Sequence, residues 1–577
     1  MQLAQRLRLP AALCSVAVLL CELISRPYAN MGIDDDGPYS LVAKTLAATG
    51  HIHYNGWSAP MLGWQLYLGA AFIKLFGFSF TTVRMSTLLV SLLTVFFLQR
   101  TLVRAGVTER NAAIGTLAVV LSPLYFMVSV TFLTDITGLF AFVLCVYSCL
   151  RALQASTDRA TIAWLCFAAI TNAIGGTSRQ IDWLGVLVVV PSTVYLLRRR
   201  RRVLLVGALL TAAGALFILA CMIWVKYQPY TLPEHLIPSR YPVGDLLMLY
   251  TYSLLDLPYL LLPLTLLFLP QLRNLRPKPL AVLALLVAGY IFIATYPSHL
   301  RGHFQLLPLS GSIGLGEWNN VTGMFAYDLL KGQSPIVIGK FAQVLLTLAT
   351  FGALFGILAS LQASRGAQPA AESATAISWR QLSILFLPFV LTYFLVMIPR
   401  ALDYGLRDRY LLEPMVIALP FLLRYYQQRI QAQLPSVAIL MVGVVAIYTI
   451  MMTHNMFSLY RARIAIAHEL FAAGVPDTSV DQGWEQNFVV EVHRAGYVNS
   501  PLIERPAHAY KPAPPLPAGS CTVVNHEQSP LIRPLYGISF DPNACYGPAP
   551  FAPVHYSRWP YRTPGTLYVV RYLPPKT

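Results

Sequence analysis

Three consecutive carboxylates, Asp34, Asp35 and Asp36, follow the first apolar segment of the chain. A carboxylate costs several kcal/mol inside hydrocarbon, so this run is expected just outside a bilayer or in a wet cavity. In such a place a carboxylate can act as a general base that takes a proton from a hydroxyl or amine acceptor. Tyr39 follows three residues later, and a helix is expected to begin near Pro38. The run therefore has two interpretations: it supplies a catalytic carboxylate, or it starts and caps that helix.

Other charged residues recur at the same ends of later apolar segments. Asp135 lies in the stretch VTFLTDITG, and basic residues occupy further gaps, namely Arg179, Lys226, Arg301, Arg407 and Arg409. Guanidinium groups match phosphate oxygens with paired donors, so they could hold a phosphate and stabilise it as a leaving group. A donor with a lipid phosphate would need such charges at the bilayer edge. The alternatives are that Asp135 is a helix N-cap and that the arginines snorkel to lipid headgroups.

The composition indicates an integral membrane protein. Of 577 residues, 56% are hydrophobic and only 12% are charged, and the mean hydropathy is +0.57. The net charge of +17 would suggest nucleic-acid binding, but most basic residues lie in short gaps between apolar runs, where they orient helices instead. No phosphate-cradling glycine loop, CxxC pair or HExxH motif is present, and His51 and His53 are more typical of a polar loop than of a metal site.

Thirteen apolar segments are each near the length needed to cross a bilayer. They cover approximately residues 9–28, 80–102, 112–129, 135–153, 160–177, 182–197, 203–225, 245–270, 279–296, 341–361, 381–398, 410–424 and 435–453. The first resembles a signal peptide without a convincing cleavage site, and we interpret it as an uncleaved helix. Arginine-rich gaps such as 198–202 favour one side, which we assign to the cytoplasm. The fold class predicted is an all-α polytopic membrane protein.

After residue 453 the sequence becomes polar, aromatic and proline-rich, and we predict a small C-terminal α/β domain over 454–577. A helix is expected over 457–473, a polyproline-II linker over Pro506–Pro517 and a last strand over Leu567–Leu573. With thirteen spans this domain is extracytoplasmic. Cys521 and Cys545 are the two cysteines outside apolar segments, so they are expected to form a disulfide there, the alternative being two free thiols.

Several of these motifs resemble those of GT-C membrane glycosyltransferases, in the branch of the protein O-mannosyltransferases and the lipid A aminoarabinose transferase. The stretch from Asp35 to Tyr39 is similar to the D-[ED]-x-x-Y element after their first helix, and residues 41–50 and 60–77 continue the likeness. FLTDITGLF resembles the second acidic element, with Asp135 in the matching place. TSRQIDW resembles the next basic element, where other members have Lys at the position of Arg179. RDRYLLEPMVIALP resembles the entry to a late helix, matching Arg409 and Tyr410.

The resemblance covers residues 1–453, with the catalytic first outward loop at 29–79, and it implies an inverting glycosyltransferase. Its donor would be a sugar on a polyprenyl phosphate of the undecaprenyl or dolichyl type, and its acceptor a lipid, glycan or protein at the outer face of a bacterial inner or plasma membrane. Several relatives need no metal, so the resemblance implies no required cofactor, although a role for a divalent cation stays open. No nucleic-acid partner is expected. The roles implied are catalytic for Asp35, Asp36 and Asp135, acceptor-orienting for Tyr39 and Asp34, and donor-phosphate binding for Arg179, Arg409, Tyr410, Lys226 and Arg301.

One departure matters, because the usual acidic pair is a run of three aspartates here and either Asp34 or Asp35 could be the key carboxylate. Two other functions stay open. A flippase or transporter of lipid-linked sugars would carry ionisable residues in mid-membrane, broken helices and an internal repeat, whereas the acids here cluster at the outward ends of the predicted spans. A polysaccharide ligase would use the same kind of lipid phosphate.

Overall fold

A computed structural model of the chain describes residues 9–233, 243–295, 305–308, 330–363, 377–404 and 406–574. It is predominantly helical, with one four-stranded sheet near the C-terminus. In the described part, seven helices are long and apolar enough to cross a membrane, or up to nine if each of two bent helix pairs is one span. The all-α polytopic class is thus supported, while the number of thirteen spans stays a prediction.

The helices of the first half are α1 Leu9–Ser25, α2 Asp36–Thr49, α3 Trp64–Phe76, α4 Phe80–Arg104, α5 Glu109–Val120, α6 Pro123–Ser129, α7 Thr134–Gln154, α8 Asp158–Gly175, α9 Val190–Leu196 and α10 Arg201–Lys226. A 3-10 turn, Gln180–Trp183, and a π turn, Gly185–Val189, precede α9. The later helices are α11 Val243–Leu260, α12 Leu262–Thr265, α13 Pro277–Thr295, α14 Lys340–Ala363, α15 Trp379–Tyr404, α16 Leu412–Arg429, α17 Ser436–Ala472 and α18 Trp484–Ala495. A 3-10 segment, Leu266–Asn274, follows α12, and a 3-10 turn, Asp408–Leu411, precedes α16; two single 3-10 turns, Asp477–Ser479 and His526–Gln528, lie near the C-terminus.

Each of the thirteen predicted apolar segments falls on helical structure, but two of them are bent. Helices α5 and α6 meet at an angle of 71°, and α11 meets the α12 region at 72°. Pro123 stands at the start of α6 and Pro263 at the start of α12. Because proline lacks the N–H that would continue the preceding helix, a new helix direction begins at each of these residues.

Helix α7 occupies the centre of the bundle. Within its most apolar window 78% of the residues are buried, against 17% in α10 and 11% in α13. Helix α7 packs against α4 and α8, and its first turn carries Asp135. The apolar faces of α10 and α13 are exposed and would meet lipid, whereas α7 presents its acid to the interior of the protein.

The loop between the first two predicted spans contains α2 and α3, close to the two helical stretches expected there. Helix α2 begins at Asp36, two residues before Pro38, and Gly50 ends it in the left-handed conformation with a φ of 79°. A Cβ atom at Gly37 would lie 2.8 Å from the ring of Trp57. This glycine therefore allows the start of α2 to pack directly on the loop that follows the helix.

The C-terminal region contains a small sheet and helix α18, which together we call the C-terminal unit; that residues 454–577 form a separate α/β domain stays a prediction. Strands β1 Val480–Asp481, β2 Tyr536–Ser539, β3 Val554–Tyr556 and β4 Gly565–Arg571 form a sheet in the order β1-β2-β4-β3. β1 is parallel to β2, whereas β4 is antiparallel to both β2 and β3. The last strand was predicted at nearly these residues, and the 506–517 stretch has no regular helix or strand.

One feature of this region differs from the sequence-based expectation. Helix α17 is continuous over 37 residues, so the last predicted span, 435–453, and the helix predicted over 457–473 are a single element. The mean hydropathy of the sequence falls near residue 454, but the helix does not end there. It continues because the polar side chains that follow are buried against the C-terminal unit. His454, for example, is stacked on Trp559 with the ring centroids 3.8 Å apart.

The structure joins Cys521 to Cys545 in a disulfide that closes a loop with a sequence separation of 24. Cys545→Ser together with Cys521→Ser is expected to lower the free energy of unfolding of this region by about 3 kcal/mol, because the unfolded chain gains the entropy of an open loop. Thermal unfolding of protein made in an oxidising compartment measures the change. Cys166→Ser, which removes a free cysteine from α8, is the control; an equal shift in both proteins would contradict the prediction.

Glu491 makes the stability of the same region sensitive to pH. It is buried on α18, and burial raises the pKa of its carboxyl to about 7 from an ordinary value of 4.5, against the opposing hydrogen bond from the Leu531 amide. The folded state therefore keeps a proton that the unfolded state releases between pH 4.5 and 7, so stability falls as pH rises through this window. Glu491→Gln mimics the protonated form. Its unfolding temperature is expected to decline less between pH 4.5 and 7.5 than that of the parent, by roughly a few degrees; parallel curves would contradict this.

Candidate active site

The three aspartates of the acidic run occupy different environments. Asp36 is completely buried and forms a paired ion bridge with Arg84 of α4, with Nε–Oδ2 at 2.6 Å and Nη2–Oδ1 at 3.1 Å. Its Oδ1 also accepts the amide of Ile33 at 2.6 Å. The Arg84 guanidinium donates in addition to the carbonyl oxygens of Ala29 and Met31. Asp36 and Arg84 thus tie the loop to the start of α4.

Asp34 is held by a different element from the one that holds Asp36. It adopts a φ of 50°, and its amide donates to Oε1 of Glu485, on the C-terminal helix α18, at 2.9 Å. Asp35 stands between these two anchored neighbours. Its side chain is 30% exposed, against 9% for residue Asp34 and 0% for Asp36. Of the three carboxylates, that of Asp35 is the most accessible from outside the protein.

A chain of ion pairs extends from Asp35 into the bundle. Arg409 places Nη2 at 3.3 Å from Oδ2 of Asp35 and Nη1 at 3.8 Å from Oδ2 of Asp135. Asp135 also bonds Arg179, whose Nε lies 3.8 Å from Oε1 of Glu413. Apart from Asp35, each of these side chains is at most 10% exposed. Four residues singled out in the sequence, from positions far apart, therefore meet in one cluster.

The elements explain why these residues converge. Asp135 lies in the first turn of α7, where the helix dipole favours an acid, and Arg179 directly precedes the 3-10 turn before α9. Arg409 belongs to the 3-10 turn that leads into α16. In each case a polar end of an otherwise apolar element points toward the same part of the bundle, as expected for helices that begin at one membrane face.

Tyr410 and Tyr393 form the aromatic wall of this cluster. The Tyr410 ring centroid lies 5.2 Å from the guanidinium carbon of Arg179 and 5.8 Å from that of Arg409. The Tyr393 hydroxyl lies 2.7 Å from the Tyr410 carbonyl oxygen and 3.0 Å from Oε2 of Glu413. These contacts fix the position of the two arginines, which is what a phosphate site requires.

A shallow groove lies beside Tyr393 and Tyr410. It is mainly apolar and is lined by Ser253, Tyr393, Phe394, Met397, Leu406, Arg407, Tyr410 and Leu411. Arg400 lies nearby, with its guanidinium carbon 5.9 Å from the Tyr410 ring centroid. An apolar groove that ends at arginine and tyrosine side chains can hold an amphiphile with a negatively charged head.

The remaining predicted residues lie outside this cluster. Tyr39 is buried in the packing of α2, and its hydroxyl donates to the carbonyl oxygen of Ala59 at 3.1 Å. Lys226 is exposed at the end of α10 and makes no ion pair within the described ranges. Arg301 lies outside the described residues. The N-cap of α7 is Leu133, so the alternative that Asp135 caps this helix is wrong.

Four buried charged residues near the site were not recognised from the sequence: Arg84, Asp182, Glu413 and Glu485. Arg84, Glu413 and Asp182 lie in predicted spans, where an ionisable residue is itself a signal of function. Asp182 is fully buried, and a Cβ atom at Gly138 would lie 2.1 Å from its Oδ2, so glycine makes room for this carboxyl against α7. Glu485 carries no comparable signal, because it is identified only by its distant partner.

No group of three or more His, Cys, Asp or Glu side chains that could hold a metal ion occurs in the part of the chain that the structure describes. The carboxylates of the cluster face guanidinium groups instead. The chemistry that this arrangement can support directly is proton abstraction by Asp35 next to an anion held by arginines.

Residues 58–224 match the family model described as Dolichyl-phosphate-mannose-protein mannosyltransferase. The match includes Asp135 and Arg179, and it bears out the resemblance to this class of membrane glycosyltransferases over these residues; Asp35 and Arg409 lie outside the matched range. A comparison with curated protein sequences finds no match.

Among solved structures, the chain is similar to ArnT from Cupriavidus metallidurans at 14% identity, covering 82% of each chain with a TM-score of 0.38. It is also similar to the oligosaccharyltransferase AglB from Archaeoglobus fulgidus at 15% identity, covering 82% of this chain and 58% of that one with a TM-score of 0.41. The Pmt1–Pmt2 protein O-mannosyltransferase complex from S. cerevisiae matches over 38% of this chain and 32% of that one, at 16% identity and a TM-score of 0.31.

Proposed function

We propose that this protein is an inverting membrane glycosyltransferase that moves a sugar from a polyprenyl-phosphate donor to a lipid, glycan or protein acceptor. One observation carries the proposal: the partly exposed carboxylate of Asp35 lies 3.3 Å from Arg409, which also faces Asp135. A base and a phosphate-binding cation are thus adjacent. The family match over residues 58–224 supports the same class of reaction.

In the proposed reaction Asp35 takes the proton from an acceptor hydroxyl or amine. The acceptor atom attacks the anomeric carbon of the sugar from the face opposite the phosphate, and the carbon–oxygen bond to the phosphate breaks. The electron pair of that bond leaves with the lipid phosphate. A positioned base contributes about 10²- to 10⁴-fold to such a step, and guanidinium donors stabilise the charge that develops on the phosphate.

Arg409 and Arg179 are the proposed phosphate ligands. Arg409 is nearest to Asp35, and Nη2 of Arg179 has no hydrogen-bond partner among the described residues, so it has a donor to offer. The apolar side chains next to Tyr410 would contact the first isoprene unit of the lipid, with Arg407 at the polar end of this lining. Asp135 would orient both arginines, and Asp36 would hold the loop through Arg84.

The test is to incubate purified protein with a panel of undecaprenyl-phosphate and dolichyl-phosphate sugars and to measure the lipid phosphate released. Release that requires an acceptor supports a transferase. A flippase would move the intact donor across a vesicle membrane without cleavage, so transport of uncleaved donor would contradict the proposal. A polysaccharide ligase would use only donors that carry a long glycan.

Arg409→Ala is expected to weaken binding of the lipid-phosphate donor by about tenfold or more, because a charge-assisted contact to phosphate is worth about 1.5–3 kcal/mol. Binding can be measured with a fluorescent polyprenyl-phosphate sugar in detergent micelles. Lys226→Ala is the matched control, since it removes a predicted but exposed cation outside the cluster. Equal weakening in both variants would assign the effect to overall charge instead.

We further propose that residues 454–577 lie on the outer face of the membrane, an inference from the arginine bias of the opposite gaps and the predicted count of thirteen spans. The disulfide in this region favours an oxidising compartment. Labelling of single exposed cysteines in intact cells with an impermeant maleimide tests the location. Labelling of the C-terminal region only after lysis would contradict it.

A further inference from the structure

Glu485 connects the C-terminal region to the acidic loop. It lies in the first turn of α18 and is completely buried. Its Oε1 accepts the Asp34 amide at 2.9 Å and the Tyr460 hydroxyl at 2.6 Å, while its Oε2 bonds Nη1 of Arg463 at 2.8 Å. Both carboxylate oxygens are therefore committed to fixed donors, and Arg463 balances the charge.

The bond from Asp34 matters because of the backbone at that residue. A φ of 50° is the left-handed region, which residues other than glycine rarely adopt unless neighbouring contacts hold them there. The acceptor oxygen of Glu485 fixes the direction of the Asp34 amide, and with it the peptide that leads to Asp35. Without this acceptor, the loop can relax to a more ordinary conformation.

The loop is thus anchored at both neighbours of Asp35. Asp36 is fixed by Arg84 on α4, and Asp34 is fixed by Glu485 on α18. Helix α18 also packs against Trp57, which lies in the segment between α2 and α3. The ring centroid of Trp57 is 5.2 Å from that of Phe488 on α18. The position of the Asp35 carboxylate relative to Arg409 therefore depends on two anchoring residues, Arg84 and Glu485, that are 401 positions apart in sequence (485 − 84).

We propose that Glu485 is a positioning residue for the transfer reaction: through the Asp34 amide, the C-terminal region sets the orientation of the Asp35 base. This inference rests on the proposed function, in which Asp35 takes the acceptor proton. It gives the C-terminal region a role in catalytic rate that is separate from any role in acceptor binding. Glu485 itself does not contact the reacting atoms.

Hydrogen–deuterium exchange of the full-length protein, with kinetics on the polyprenyl-phosphate sugar that the panel selects, tests the proposal. Glu485→Ala is expected to speed exchange of the 33–37 amides by about tenfold, the effect of one lost hydrogen bond on a local opening equilibrium. It should lower kcat by about 10- to 100-fold with little change in KM, as for a misplaced catalytic group. Glu485→Gln keeps an oxygen for the Asp34 amide and should restore both measurements to within a few-fold of the parent.

Glu491→Ala is the matched control, because Glu491 is a second buried carboxylate on α18 that bonds Leu531 and not the acidic loop. The proposal would be overturned if Glu485→Ala and Glu491→Ala had the same exchange rate for the 33–37 amides and the same kcat. If Glu485→Ala does not fold because Arg463 is left unpaired, Glu485→Ala with Arg463→Met removes both charges and repeats the test. Failure of the proposed function would instead appear in the parent protein, as donor that is not cleaved when an acceptor is present, so the two failures are read from different experiments.

Discussion

Asp35→Asn is expected to reduce turnover of the polyprenyl-phosphate donor by about 10²- to 10⁴-fold, as for the loss of a general base. Asparagine has nearly the same shape as aspartate and still accepts a hydrogen bond from Arg409, so the fold and the binding of the donor should change little. Lipid phosphate released in single-turnover experiments at saturating donor measures the chemical step. Donor affinity, measured separately, shows whether the loss lies in kcat.

Asp34→Asn is the control for this prediction. The two residues are neighbours with the same side chain, but Asp34 is 9% exposed and meets Glu485 through its backbone amide. This substitution leaves that amide in place, so turnover is expected to fall much less than in Asp35→Asn. A larger loss in Asp34→Asn would move the base to Asp34, and normal turnover in a folded Asp35→Asn protein would exclude Asp35 from the chemistry.

Arg84→Ala is expected to lower the free energy of unfolding by about 3–5 kcal/mol, because it leaves the carboxylate of Asp36 buried without its partner. Asp36 is completely buried and Arg84 is 3% exposed, so water cannot replace the lost guanidinium. The change can be followed by denaturant titration in detergent with far-ultraviolet circular dichroism. Turnover should also fall, since the acidic loop loses its anchor on α4.

The double variant Arg84→Gln with Asp36→Asn separates the charge from the contact. It removes both charges and keeps side chains that can still form hydrogen bonds, so it is expected to be clearly more stable than Arg84→Ala alone. If the double variant is as unstable as the sum of the two single variants, the residues do not act as a pair. Lys74→Ala, on the exposed side of α3, serves as a neutral reference for the measurement.

The helical architecture could be predicted because hydropathy and arginine bias are local signals. Each predicted apolar segment coincides with helical structure, including the two that bend at Pro123 and Pro263. The continuity of α17 could not be predicted in this way. Hydropathy falls where the helix leaves the apolar bundle, whereas helix formation continues because the C-terminal unit buries His454 and Tyr460.

The candidate site was predictable only in part. Motif resemblance identified Asp35, Asp135, Arg179 and Arg409, and the structure brings these four together. The acidic run itself contains three identical side chains, so nothing local distinguishes them. Their differences arise from Arg84, which is 48 residues from Asp36 in sequence, and from Glu485, which is 451 residues from Asp34.

The length of α17 has a consequence for exchanging parts between related proteins. This helix spans about 55 Å at 1.5 Å per residue, and its second half supplies Tyr460 and Arg463 to the α18 contact. A chimera joined at residue 454 would connect the first half of one protein's helix to the second half of another's in the middle of α17. A chimera joined after residue 473 would place the transplanted Glu485 against side chains of the other protein in place of Tyr460 and Arg463. A C-terminal unit moved into a relative should therefore carry the whole of α17 with it. The smallest segment that can be exchanged between relatives then includes a predicted membrane helix.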